Sequence, residues 1–424
     1  MIAEDRLQAL VNVKIDKSHF ASYETPLMTP EMAENPYRFF DDVRKRHGDV
    51  IEVHDNQIDG VLFPTLIPMM PARPGYLVTG YQTVTSVVET RKMFFQNHAY
   101  NMDMLMGEGQ IAGLNPPDHI NLRKLLFISF NRHSVDEMQK NIILPLMNGL
   151  IDRLGEQNKA DLVAEFTCRV PIYVIGELFG LPIERYNEFA GLATDLMNFG
   201  SSWENAIAAS NRLTELFREM IEARRSDPGD DLVSKMLAAE IDGQKLTDQQ
   251  MMSFCRALVP AGVETTSKAL SSLFASVLRT PGCWDMLKNQ AELIPGAVEE
   301  SLRLNSPAQM IPKRTTAEVE LDGKLLPADA NLWVYLGHAN RDGRQWSNPH
   351  TYDIAREPTP HLAFSSGPHT CLGMQLARRE LQDALTLMLQ KLPNLKLDPD
   401  IPPPPITGFQ FRSADRIDVV TGSN

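Results

Sequence analysis

The sequence predicts a mainly helical protein with a smaller β-rich lobe and one long central helix. Apolar residues return at three- and four-residue intervals through most of 117–304, which is the period of packed helices. Short β-type runs bounded by Gly, Pro, Asp or Asn occur at 50–53, 76–78, 319–321, 332–336 and 417–420. The helical stretch 248–278 is long enough, at about 1.5 Å per residue, to cross the whole molecule.

The domain organisation predicted for the 424 residues is a single catalytic domain, 1–424. A length prior of about 150 residues per domain would give three domains, but no linker or fixed repeat divides the chain. The helix-rich lobe is expected at about 81–305 and 374–392, and the strand-rich parts at about 50–80, 306–340 and 401–424. The four prolines at 402–405 predict a stiff connector before the last strand.

Composition excludes several classes of function. The chain has 41 basic and 54 acidic residues and a net charge of −13, which argues against binding to nucleic acid or to an anionic membrane. Its four cysteines are scattered, so free thiols in the cytoplasm are expected rather than a disulfide framework. No secretory signal is recognised, and the apolar stretches fall short of the roughly 18 residues that cross a bilayer.

The middle of the long helix has a composition that helix stability does not explain. Pro260 removes a backbone hydrogen bond, and Gly262 costs about 1 kcal/mol relative to alanine. Read alone, Glu264 and the two following threonines would be a solvated helix face. The proline and glycine indicate instead that this stretch serves a function.

A cysteine stands in a Gly/Ser/Pro-rich loop directly before another amphipathic helix, in the segment 361–378. At a helix N-terminus, unpaired backbone N–H groups and the helix dipole favour a thiolate, as a metal ligand or nucleophile requires. The glycines at 367 and 373 allow a flat partner to approach the backbone. The alternative for a lone cysteine is a small buried hydrophobic residue.

This segment resembles the heme-binding loop of the cytochromes P-450, the heme-thiolate monooxygenases, of the soluble bacterial type. The matching positions are Phe364, Gly367, His369, Cys371 and Gly373. The resemblance implies the cytochrome P-450 fold, with the long central helix over the heme. It also implies that heme b is the cofactor, that Cys371 is its axial thiolate ligand and that the other four residues bind it.

A second matching segment lies in the long helix, where 261–266 resembles the family's oxygen-binding stretch. By resemblance, Ala261 and Gly262 lie against the cofactor and leave room for dioxygen. Glu264 and Thr265 are then the catalytic acid–alcohol pair, and the Thr265 hydroxyl is expected to turn back toward the carbonyl of residue 261.

Further cations match the family's partners of the heme propionates. His119 and Arg123, in the stretch 115–123, share one helical face, and the resemblance adds Arg314 and His369 to them. The pair Glu300 and Arg303, with Arg356, resembles the family's structural triad. Each of these residues by itself would be an ordinary surface charge.

The function implied is a monooxygenase that inserts one atom of dioxygen into a C–H bond of a small-to-medium hydrophobic substrate of terpenoid, aromatic, steroid or fatty-acid type. Electrons are expected from a separate ferredoxin and its NAD(P)H reductase, with docking at a basic patch of Arg123, Lys124 and Arg132, and the protein is expected to be a monomer. A Met-rich loop at 102–106 is expected beside the substrate. The alternatives are a peroxide-driven heme enzyme and a non-catalytic heme sensor or ligand carrier.

Overall fold

The computed structural model describes residues 2–16, 32, 34–55, 57–62, 73–90, 93–96, 100–127, 129–197, 202–241 and 243–422. The described part is mainly helical, as the sequence predicts. Two π-helical turns, Gln139–Ile143 and Val163–Thr167, adjoin the α-helices. The helices are α1 (Glu4–Val11), α2 (Pro36–His47), α3 (Tyr81–Glu89), α4 (Tyr100–Met106), α5 (Asp118–Phe127), α6 (Arg132–Met138), α7 (Leu144–Gly155), α8 (Arg169–Phe179), α9 (Tyr186–Met197), α10 (Trp203–Ser226), α11 (Leu232–Ala238), α12 (Asp248–Arg279), α13 (Cys283–Asn289), α14 (Ile294–Leu304), α15 (Leu336–Ala339) and α16 (Met374–Lys391).

The central helix α12 is 32 residues long and packs against α8, α9, α14 and α16. Its start is fixed by a reciprocal cap: the Thr247 hydroxyl accepts from the Gln250 backbone N–H, and the Gln250 side chain accepts from the Thr247 N–H. The helix continues through Pro260, and its bounds agree with the stretch predicted from periodicity. It therefore carries one set of side chains across the middle of the molecule.

The β-rich lobe is a five-stranded sheet in the order β1-β4-β12-β9-β5. Strands β4 and β12 are parallel, and every other neighbouring pair in this sheet is antiparallel. A smaller sheet has the order β13-β14-β6, and three hairpins complete the described strands. The strands are β1 (Val50–Val53), β2 (Gln57–Ile58), β3 (Val61–Leu62), β4 (Gly75–Val78), β5 (Phe94–Gln96), β6 (Lys159–Asp161), β7 (Glu240–Ile241), β8 (Gln244–Lys245), β9 (Met310–Thr315), β10 (Val319–Leu321), β11 (Lys324–Leu326), β12 (Asn331–Tyr335), β13 (Lys396–Leu397) and β14 (Asp418–Val420).

Two local predictions need correction. Residues 102–106, expected to form a Met-rich loop, lie in helix α4, with Met102 buried and Met104 exposed. Strand β9 was not predicted, because its sequence MIPKRT contains a proline and two adjacent cations in place of an apolar alternation. It is nevertheless a central strand of the main sheet, between β12 and β5.

The predicted triad is present and buried. Arg303 donates two hydrogen bonds to the Glu300 carboxylate at 2.7 and 2.8 Å, and Arg356 Nε donates to Glu300 Oε1 at 2.9 Å. Arg303 also donates to the backbone carbonyls of Asn340 and Pro349. The triad therefore ties α14 to the long irregular segment that precedes the cysteine loop.

No helix among the described residues combines the length and the apolar character that crossing a membrane requires.

Candidate functional site

The cysteine loop is fixed by backbone hydrogen bonds at both ends of a short 3₁₀ turn, Gly367–His369. The Cys371 N–H donates to the Phe364 carbonyl at 3.0 Å, and the Thr370 N–H donates to the Gly367 carbonyl at 3.1 Å. Gly367 has φ +71°, and a Cβ there would lie 2.7 Å from the carbonyl oxygen of Val88 on α3. Only glycine fits this position, so the loop is held against α3.

Two flanking residues of the motif have different surroundings. The Phe364 ring lies under the guanidinium of Arg378, 4.8 Å from its centroid, and Arg378 is paired with Glu299 at 2.7 Å. Gly373 precedes α16, and a Cβ on it would meet no protein atom within 4 Å. Space beside Gly373 is therefore open in the protein chain.

The Cys371 side chain is exposed, while the other three cysteines are buried; all four are free thiols. Burial of the loop among protein atoms raises the pKa of the Cys371 thiol. A backbone hydrogen bond from Gly373 and the charges of Arg123 and Arg378 oppose this. The sequence predicts that the helix N-terminus favours the thiolate; the Gly373 hydrogen bond acts in that direction, and the surrounding protein atoms act against it. A coordinated metal ion deprotonates a thiol outright, so a raised pKa of the free Cys371 thiol does not prevent it from binding a metal.

Helix α5 brings two predicted cations to the cysteine loop. The rings of His119 and His369 lie 3.8 Å apart between centroids, and His119 is 1% exposed. Arg123 Nη2 donates to the Thr370 carbonyl at 2.7 Å, one residue before Cys371. Burial lowers the pKa of Arg123, and the charge of Cys371 counteracts this effect.

The structure does not bring Arg314 to this group. Arg314 Nη1 is paired with Asp329 Oδ1 at 2.9 Å on the other face of β9. Its neighbour Lys313 is 3% exposed and makes no ion pair or hydrogen bond with the described residues, and burial lowers its pKa to about 8. The prediction for Arg314 is therefore corrected: the inward cation on this strand is Lys313.

The register of the sheet shows where Lys313 points. Lys313 pairs with Leu332 on β12 and with Gln96 on β5, and residues opposite each other in a ladder share a face. That face belongs to the cluster containing Leu332 and Val88, against which the cysteine loop packs. The Gln96 N–H also donates to Asn115 Oδ1 at 3.0 Å, four residues before His119.

On α12, the predicted hydroxyl contact is present: Thr265 Oγ1 donates to the Ala261 carbonyl at 2.6 Å. Ala261 is exposed and lies one turn from Thr265, so the two line one face of the helix. Glu264 is paired with Lys268, with Oε1 and Nζ 3.0 Å apart. Lys268 is not among the residues predicted from the sequence, although a Glu and a Lys four residues apart on a helix are a recognised pairing signal.

Gly262 has a packing reason that the sequence did not show. A Cβ at this position would lie 2.5 Å from Cδ1 of Ile175 on α8. The glycine therefore allows α8 to approach α12 closely. Its predicted role in leaving room for dioxygen stays a prediction.

These observations fit a flat cofactor that carries carboxylates and is ligated by a thiolate. The exposed Cys371 lies in a loop fixed by backbone hydrogen bonds, and Gly373, two residues further on, leaves open space. Lys313 is a buried cation that lacks a counterion among the described residues, which is costly unless an anion pairs with it. His119, Arg123 and His369 gather on the same side of the loop. The fold and the site thus define a heme-thiolate protein.

Comparison with known proteins agrees with this class. The sequence profile described as "Cytochrome P450" matches residues 186–414, and the chain belongs to the cytochrome P450 family. It is 37% identical over 284 residues to Cytochrome P450 107B1 of Saccharopolyspora erythraea, covering 67% of this chain and 70% of that protein. It is 35% identical over 296 residues to a steroid C26-monooxygenase of Mycobacterium tuberculosis, covering 68% and 78%.

Among solved structures, the fold is similar to that of P450BioI in complex with an acyl carrier protein ligated to hexadec-9Z-enoic acid. The TM-score is 0.79 at 27% identity, and the match covers 93% of this chain and all of that one. The family uses heme b with an axial cysteine thiolate, and its members are oxygenating oxidoreductases. The protein is therefore an enzyme of this type.

Proposed function

We propose that this enzyme inserts one atom of dioxygen into a C–H bond of a small-to-medium hydrophobic substrate. Two electrons from NAD(P)H, delivered by a reductase and a separate ferredoxin, and two protons reduce the second oxygen atom to water. The relatives support the substrate class: one is named for steroid C26 oxidation, and P450BioI binds a fatty acyl chain. The single observation that carries the proposal is the exposed Cys371 in its glycine-fixed loop.

Five side chains would hold the cofactor. Cys371 would supply the thiolate ligand, and His119, Arg123, His369 and Lys313 would bind its carboxylates. When bound, heme b supplies the iron chemistry that activates dioxygen. The protein's part is to fix the thiolate and to neutralise the carboxylates in a site withdrawn from water.

The residues that we assign to proton delivery lie on α12. The Thr265 hydroxyl is held by its bond to the Ala261 carbonyl on the exposed face of the helix. Glu264, the adjacent residue, is mostly buried and has its charge balanced by Lys268. We assign Glu264 as the acid that passes protons toward the oxygen side and Thr265 as the hydroxyl that orients them.

The surface of α5 fits an acidic electron donor. A cleft of about 400 Å³ is lined by His119, Ile120, Arg123, Lys124, Phe127, Pro116, Gly367 and Pro368. Lys124, which lines it, and Arg132, the first residue of α6, are exposed, and Phe127, 52% exposed, adds an apolar contact. Arg123 also lines the cleft, but it is half-buried and bonded to the Thr370 carbonyl, so it is less available to a partner than Lys124. A donor such as a ferredoxin would dock by charge complementarity to Lys124 and Arg132.

The four free thiols support a cytoplasmic location, and a monomer is the expected form.

The decisive experiment combines the heme-loaded protein, a ferredoxin and its reductase, and NAD(P)H with a panel of steroids, fatty acids, terpenoids and aromatics under ¹⁸O₂. The proposal expects a hydroxylated product carrying one ¹⁸O atom, formed with consumption of NAD(P)H. Product formed only with added peroxide would favour the peroxide-driven enzyme. Ligand-induced spectral shifts without product under either condition would favour the sensor or carrier.

A further inference from the structure

A buried polar connection leads from the proposed proton relay to the protein surface. Lys268 lies one turn after Glu264 on α12, and its side chain is 12% exposed. Its Nζ lies 3.0 Å from Glu264 Oε1 and 3.5 Å from Ser413 Oγ. Ser413 Oγ in turn lies 3.5 Å from Asp415 Oδ1, and Asp415 is exposed. The two 3.5 Å contacts are longer than ordinary hydrogen bonds and have to shorten by a few tenths of an ångström before a proton can pass.

The outer end of this connection is held in place by the backbone. The Ser413 N–H donates to the Thr407 carbonyl at 3.0 Å, and the Thr407 N–H donates to the Ser413 carbonyl at 2.9 Å. Ser413 itself is 4% exposed. Its hydroxyl is therefore fixed between Lys268 and Asp415.

Lys268 stays charged in this environment. Burial lowers its pKa, but the charges of Glu264 and Asp415 and the hydrogen bond to Glu264 outweigh burial and raise it overall. While the pair is closed, the charged lysine holds the Glu264 carboxylate, and the Thr265 hydroxyl is bonded to the Ala261 carbonyl instead. The carboxylate has to leave the lysine before it can pass a proton toward Thr265.

We propose that Lys268 is a positioning residue for Glu264 and that Lys268, Ser413 and Asp415 form the route by which protons from solvent reach it. Glu264 would alternate between the closed pair with Lys268 and an orientation toward Thr265. This inference rests on the proposed role of Glu264 as the proton-relay acid. The new element is the source of the protons that reach Glu264, which the role of Glu264 as an acid does not specify.

The test measures three quantities on heme-loaded variants with a substrate that the wild type hydroxylates: product per NAD(P)H, peroxide released, and the solvent isotope effect on turnover. Lys268→Met is expected to lower product per NAD(P)H by roughly tenfold, less than the hundredfold or larger contribution of a proton donor itself. Peroxide release and the isotope effect should rise. Lys268→Arg keeps the charge that positions Glu264 but does not release its proton, so it should restore coupling only in part and leave the isotope effect raised.

Two variants remain informative if Lys268→Met does not fold or does not bind heme. Ser413→Ala removes the intermediate hydroxyl, and Asp415→Asn removes the surface carboxylate; both should raise the solvent isotope effect and lower coupling. Lys288→Met, which breaks an exposed pair with Asp285 on α13, is the matched control and should match the wild type.

Glu264→Gln distinguishes failure of the proton route from failure of the proposed role of Glu264 as the relay acid. If Glu264→Gln lowers coupling while the Lys268, Ser413 and Asp415 variants all leave coupling and isotope effect unchanged, the route is overturned and the acid relay survives. If Glu264→Gln also leaves both unchanged, the relay itself is overturned. A fall in melting temperature without a change in coupling would make Lys268 a purely structural residue and would equally overturn the route.

Discussion

Lys313 and Arg314 are adjacent on β9 and lie on opposite faces of it. Lys313 is 3% exposed and lacks a counterion among the described residues, whereas Arg314 is paired with Asp329.

We expect Lys313→Met to weaken heme binding. Loss of a hydrogen bond to a charged group costs about 1.5–3 kcal/mol, or tenfold and more in heme release. The measurement is the rate of heme transfer to apomyoglobin, with the heme-to-protein ratio after purification. Arg314→Met is the matched control and should release heme at the wild-type rate; faster release from Arg314→Met than from Lys313→Met would contradict the assignment.

Charge reversal at the α5 surface should slow electron delivery. Lys124→Glu is expected to lower the rate of heme reduction by an acidic ferredoxin at low salt, and to weaken the dependence of that rate on ionic strength. Stopped-flow reduction across a salt series measures both. Lys288→Glu on α13, which does not line the cleft, is the control. An unchanged salt dependence in Lys124→Glu would remove this face as the docking site.

Glu380 on α16 gives the protein a pH-dependent loss of stability. It is 2% exposed, its Oε2 has no hydrogen-bond partner among the described residues, and burial with the nearby charge of Asp383 raises its pKa from 4.5 to about 8. The unfolded chain releases this proton near pH 4.5 and the folded chain only near pH 8. This group therefore makes unfolding progressively easier between these two pH values, by on the order of a few kcal/mol.

Glu380→Gln, which imitates the protonated acid, should remove that slope and stabilise the protein most at pH 8. Denaturant midpoints of the heme-loaded protein at several pH values measure the effect. Glu137→Gln on the surface of α6 should keep the wild-type slope. Identical pH profiles for Glu380→Gln and wild type would show that Glu380 is ionised in the folded state.

Breaking the buried triad should cost far more than a surface substitution. Glu300→Gln leaves the buried guanidinium of Arg303 without its counter-charge, and we expect a loss of roughly 3–5 kcal/mol of folding free energy. Urea unfolding followed by circular dichroism and by the heme band checks this. Glu320→Gln, exposed on β10, should change the midpoint little. A Glu300→Gln midpoint equal to that of Glu320→Gln would refute the stabilising role.

The parts of the protein that the sequence predicted well are those fixed by local patterns. Helix α12 depends on residues close together in the chain, so periodicity locates it, and the cysteine loop and the contact of Thr265 with Ala261 lie in short motifs that the family resemblance identifies. The choice between Lys313 and Arg314 depends on which face of β9 turns inward. That is set by pairing with β5 and β12, which local sequence does not contain. The link from Lys268 to Ser413 joins residues 145 positions apart and is equally invisible to periodicity.

The bond from Arg123 to the Thr370 carbonyl has a mechanical consequence. Arg123 belongs to the same two turns of α5 as Lys124 and Phe127, the residues of the proposed docking surface, and Thr370 is covalently joined to Cys371. A displacement of the outer side of α5 would therefore reach the peptide bond next to Cys371 through one guanidinium. With the docking proposed above, binding of an electron donor and the position of the proposed iron ligand would change together.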